Sequence, residues 1–158
     1  MLKYLEFMTQ TDVPRIQYLA KAFAAAILGT ILVATLAILL LPENAAPDAG
    51  DRADPPMIGL LVIWPIVSTL VIWVLLAGLR RITPTYWHAA GVSALVFLVL
   101  FSLGAGLESG LIFAWPYFLY SLTFLAWQLK SDADAFIMTG LLQSAVMALP
   151  ALIISSQA

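Results

Sequence analysis

The sequence predicts an all-α integral membrane protein: one membrane domain, residues 1–158, built as a bundle of five transmembrane helices. Three observations lead there. Long uncharged apolar runs alternate with short charged segments, and the clearest run is the 23 residues from Met57 to Leu79, which hold no Asp, Glu, Lys or Arg. About 20 residues at ~1.5 Å rise cross a hydrocarbon core of ~30 Å. Hydrophobic residues make up 63% of the chain and charged residues 10%, against roughly 45–50% and ~25% in a soluble domain. The third observation is where the charges fall: nearly all lie between the apolar runs, and the mean hydropathy is +1.00.

Residues 1–12, MLKYLEFMTQTD, read as a cytoplasmic N-terminal segment whose Leu2, Leu5, Phe7 and Met8 rest on the membrane surface. Asp12 is the expected N-cap of span one, with Pro14 in its first turn. Span one covers about 13–41. Its uncharged run, Ala22 to Leu41, is 20 residues long and exceeds the ~7–15 residues of a secretory signal core. A retained span is therefore expected over a cleaved leader. Residues 42–56, PENAAPDAGDRADPP, carry Glu43, Asp48, Asp51 and Asp54 against Arg52, with four prolines. They read as an irregular acidic loop.

Span two is 57–79, closed by Arg80 and Arg81. Thr83-Pro84 reads as a cap followed by a first-turn proline, and span three runs over about 85–103. A glycine-rich turn, Gly104 to Gly110, leads into span four, about 111–129, which Lys130 closes. Ser131 or Asp132 caps span five, about 135–154.

Lysine and arginine set the orientation. Numbering the sides alternately puts Lys3, Arg15, Lys21, Arg80, Arg81 and Lys130 on one side and Arg52 alone on the other. Positive residues stay inside. The N-terminus is then cytoplasmic, the C-terminus and acidic loop external, and the expected location a plasma membrane of the bacterial inner-membrane type. Tyr86, Trp87 and Trp127 fall where an inner aromatic belt belongs.

A repeat runs through the second half. Gly59-Leu60-Leu61-Val62-Ile63-Trp64-Pro65 matches Gly110-Leu111-Ile112-Phe113-Ala114-Trp115-Pro116 at an offset of 51. The same offset pairs Ser93-Ala94 with Ser144-Ala145. Spans two and three then read as a hairpin, and spans four and five as its parallel copy, with coincidence between two apolar segments as the alternative. Pro65 and Pro116, each beside its tryptophan (Trp64, Trp115), are expected to kink their helices. Each frees the carbonyl four residues back, Leu61 and Ile112, and in lipid such a carbonyl needs a donor.

The chemistry the sequence offers is thin. Without cysteine there is no thiolate site, disulfide or cysteine nucleophile. His88 is the lone histidine and reads as an interfacial anchor. Glu108 sits in the glycine-rich turn. Asp132 and Asp134 form an Asp-x-Asp, a spacing that binds metal–diphosphate in some enzymes but is weak alone; acids complementing the helix dipole explain it here. Arg15, Lys21 and His88 fall at the interface, and no ionisable group lies in the uncharged core of a span, whereas ion-coupled transporters carry at least one. The net charge of -2 predicts no nucleic-acid surface. No catalytic residue, metal ligand or cofactor is expected.

Small residues at helical spacing are the main positive signal. Ala22, Ala26, Thr30 and Ala34 form one stripe of span one, Ala25 and Gly29 a second beside it, and Gly140, Ser144 and Ala148 a stripe of span five. Such rows let helix backbones approach closely. One row of span one is expected to pack on its own bundle and the other to face a partner. Gln128 and Gln143 are expected to bond across helices. The function these features favour is non-catalytic: association with another membrane protein, or with a second copy, as an accessory, assembly or immunity factor. A passive channel or carrier for an apolar or neutral solute comes second. An enzyme using Asp132, Asp134 or Glu108 comes third.

Overall fold

The computed structural model describes residues 2–41, 57–83 and 85–155; the acidic loop lies outside them. Apart from short turns, the described residues are helical, and they contain no strand. A 3-10 helix, Leu2–Thr9, precedes α1, Arg15–Leu40. A π-helical turn, Gly59–Ile63, leads into α2, Trp64–Leu79. Then come α3, Tyr86–Ala105, α4, Leu107–Gln128, and α5, Asp132–Ser155. Four stretches are long and apolar enough to cross a membrane: Arg15–Leu40, Gly59–Leu79, Tyr86–Gln128 and Asp132–Leu152. The chain is a multi-pass helical membrane protein.

The third stretch has 43 residues and doubles back at Gly106, whose φ of 89° is a left-handed conformation that glycine adopts without strain. Ser121 Oγ donates to Ser93 Oγ at 2.9 Å. The Phe97 and Tyr117 rings stack at 3.9 Å, and those of Phe101 and Phe113 at 4.5 Å. Each turn forward on α3 meets a turn back on α4, so the two are antiparallel. The reversal is tighter than the expected Gly104–Gly110 turn, because helix continues to Ala105 and resumes at Leu107. Gly110 serves packing instead: a Cβ there would lie 2.6 Å from the Leu98 carbonyl and 1.9 Å from Ser102 Oγ. Glu108 is in the first turn of α4, where its charge suits the helix dipole.

The centre of the bundle is α4. It buries Pro116, Tyr117 and every residue from Leu119 to Trp127. Around it stand α1, α3 and α5, whereas α2 packs chiefly on α5 and lies at the edge. The N-terminal segment is built into the fold: Met8 is fully buried, and the Tyr18 hydroxyl donates to its carbonyl at 2.9 Å. Asp12 does not cap α1, which starts after Pro14 without a side-chain cap. Ser131 caps α5, accepting the Asp134 N–H at 3.0 Å and donating to that carboxylate at 2.9 Å. Trp127 leaves the expected aromatic belt for the core, meeting Tyr18 edge-on at 5.3 Å.

The two Trp-Pro sites differ. Before Pro65 the helix widens into the π-turn, and Ser144 Oγ donates to the Leu61 carbonyl at 2.7 Å, supplying the donor that carbonyl needs. Pro116 sits inside an uninterrupted α-helix. Trp64 is exposed, whereas Trp115 packs inward and donates from Nε1 to the Ala25 carbonyl at 3.0 Å. Contact between α2 and α3 is slight and between α4 and α5 extensive, so the packing gives the repeat no support.

Candidate functional site

The buried polar groups of the spans are all neutral. Gln143 of α5 is fully enclosed; its Nε2 donates to Thr69 Oγ1 at 3.1 Å, and its Oε1 accepts from Ser68 Oγ. The amide therefore ties α5 to two successive residues of α2, the cross-helix role expected of it. With Ser93–Ser121 between α3 and α4, this makes a mid-bundle layer of hydroxyls and one amide, bonded mainly to one another. The Tyr120 and Thr139 hydroxyls are buried there without a partner among the described residues.

Two apolar grooves open beside α2. The larger, about 390 Å³, runs between α2 and α5. Pro65, Ile66, Phe136 and Leu141 form its walls, with Gly140 and Ser144 among its lining. A Cβ built at Gly140 meets nothing within 4 Å, so the groove has unfilled space beside that glycine. The smaller, about 240 Å³, lies between α2 and α3, with Trp64, Phe97, Phe101 and Tyr117 around Ser68.

The small-residue rows of α1 both face inward. Ala22 and Ala26 are fully buried in the core. Gly29 lies under the Trp115 ring, whose Nε1 is 1.9 Å from where a Cβ would sit. The row of Ala25 and Gly29 is thus covered by Trp115, so both rows turn inward, whereas the expectation from sequence has one of the two facing a partner. Thr30 and Ala34 continue the first row half-buried. The face of α1 left outward carries Leu28, Ile31, Leu32 and Leu36. Of the α5 row, Gly140 and Ser144 line the large groove, and Ala148 lies half-buried one turn on.

Charged groups gather where α1, α3 and α5 begin. Arg15 pairs with Asp134 and lies 5.9 Å from the Trp127 ring centre. Lys130 donates to the Thr11 carbonyl and sits 4.8 Å over the same ring. Asp132 accepts from Gln128 Nε2 at 2.8 Å, and Gln128 Oε1 accepts from Arg80 at 2.8 Å. The Asp-x-Asp carboxylates are thus engaged by different partners. His88 is exposed and bonded to the Thr85 hydroxyl. Among the described residues no group of three His, Asp or Glu side chains is placed to hold a metal. Sequence reasoning missed the N-terminal plug, the Trp115–Gly29 contact and a polar cavity beside Arg80; the Arg80-Arg81 pair was the visible signal for the last.

No protein-family model, curated protein or solved structure matches this chain.

Proposed function

We propose that this is a small non-catalytic membrane protein that acts by holding another membrane protein through helix–helix contact, as an accessory, assembly or immunity factor. The observation that carries this reading is the groove between α2 and α5. It is apolar, open at the surface of the bundle and unfilled beside Gly140. Transmembrane helices associate by close van der Waals packing across small residues, and Gly140 and Ser144 in the lining would let a partner helix approach closely. The neutral interior, spent on its own helix contacts, agrees with a binding role.

The reading includes five crossings. The arms of the hairpin bent at Gly106 have 20 and 22 residues, each about a bilayer in length at ~1.5 Å per residue. Five crossings place the termini on opposite sides, and the six-to-one split of basic residues puts the N-terminus inside, in a membrane of the bacterial inner type. The duplication of the hairpins rests on the Trp-Pro match alone and adds nothing to the binding role.

The groove between α2 and α3 favours a second reading, a passive carrier for an apolar or neutral solute, because Ser68 and Tyr117 give it a polar spot. It ranks second because Ser93, Ser121, Thr69 and Gln143 bond across helices, and no pocket joins the remaining buried hydroxyls into a path among the described residues. A catalytic role for Asp132, Asp134 or Glu108 ranks last.

The test is Gly140→Leu, followed by gentle detergent extraction. The new side chain has room, so abundance holds, and the co-purifying membrane protein is lost. Retention of that protein at normal yield contradicts the reading.

A further inference from the structure

The α2–α3 turn carries two arginines, Arg80 and Arg81, without a direct ion pair among the described residues, beside a polar cavity. Arg15 is neutralised by Asp134, Lys130 donates to the Thr11 carbonyl, and Asp132 accepts from Gln128. Arg80 is different. One of its nitrogens donates to Gln128, which links it to Asp132, and its guanidinium lies 6.0 Å from the Tyr86 ring centre; it forms no direct ion pair among the described residues. Arg81 is exposed and forms no ion pair among the described residues. A cavity of about 150 Å³ opens here, lined by Arg80, Thr83, Thr85, Tyr86 and Ala89. A water occupies ~30 Å³ of liquid, so the space suits a group of about five heavy atoms.

We propose that this cavity binds the phosphodiester of an anionic phospholipid. Guanidinium N–H groups match phosphate oxygens in geometry and charge. The cavity sits where two apolar helices end, beside the exposed Ile82 and the half-buried Tyr86 and Trp87. A ligand there keeps its head among polar groups and its chains along the spans, which a free anion does not use. Basic pockets between transmembrane helices select anionic headgroups for this reason. The site is separate from the α2–α5 groove and does not depend on a partner.

The experiment is native mass spectrometry of the full chain, released from nanodiscs of equal phosphatidylglycerol and phosphatidylcholine. The wild type retains phosphatidylglycerol preferentially. One cation near a membrane surface contributes about 1 kcal/mol, so R80Q or R81Q lowers the retained ratio about fivefold and the double variant about thirtyfold. K21Q, which alters an exposed lysine away from the cavity, leaves the ratio unchanged. The Arg81 side chain forms no hydrogen bond or ion pair among the described residues, so the R81Q result stands even if R80Q disturbs Gln128. Equal retention of the two lipids, or a ratio unmoved in R81Q and the double variant, overturns the proposal. So does inorganic phosphate at 10-fold excess displacing the lipid fully, since the ligand is then the free anion.

Discussion

Gly29 and Gly140 do different jobs, and substitution separates them. Gly29 carries the Trp115 ring, which its bond to the Ala25 carbonyl holds in place. Gly29→Leu therefore forces the ring away and breaks that bond, at about 1–3 kcal/mol for overpacking. Thermal unfolding in detergent should show the loss, together with reduced abundance. Gly140→Leu meets open space and should leave the melting temperature within error. Similar melting temperatures for both variants would contradict the packing described for α1. Gln143→Leu removes two bonds from α5 to α2. Interhelical hydrogen bonds in bilayers average about 0.6 kcal/mol, so unfolding in mixed micelles should register a loss near 1 kcal/mol. Asp132→Ala and Asp134→Ala should leave cellular function intact at normal abundance, because these carboxylates serve helix ends.

At the scale of elements, Pro65 and Ser144 form a unit that spans two helices. The proline removes the N–H that would serve the Leu61 carbonyl, and the serine replaces it. Ser144→Ala alone should destabilise by about 1 kcal/mol. In a Pro65→Ala background the backbone supplies its own donor, so the same substitution should cost almost nothing. A double-mutant cycle with no coupling would refute this. The sequence made the freed carbonyl legible but not its donor, because a donor is found only once α2 and α5 are placed side by side. Membrane helices themselves were legible, since twenty apolar residues have few other fates. Which helix sits at the centre was not. In a soluble protein the inward face is the apolar one, but here lipid and core are alike apolar and the contrast vanishes. Thus α2, uncharged throughout, lies at the edge, and α4, with two buried tyrosines and several hydroxyls, forms the core. For the same reason two small-residue rows on α1 did not reveal that both turn inward.

For the whole molecule, the alternation of antiparallel helices and the clustering of basic residues make the topology testable. Single cysteines at Ala49 and at Thr83 should label from opposite sides of intact cells, and labelling of both from one side would contradict five crossings. The central claim is that the α2–α5 groove seats a helix of another membrane protein. It is tested most directly by a photo-crosslinking residue at Leu141, on the groove wall, in native membranes. The account predicts one discrete heavier adduct from Leu141, none from Leu32 on the outer face of α1, and loss of the adduct in Gly140→Leu at unchanged abundance. An adduct whose mass is twice that of the chain identifies the occupant as a second copy. No adduct from Leu141, or one that survives Gly140→Leu, contradicts the account.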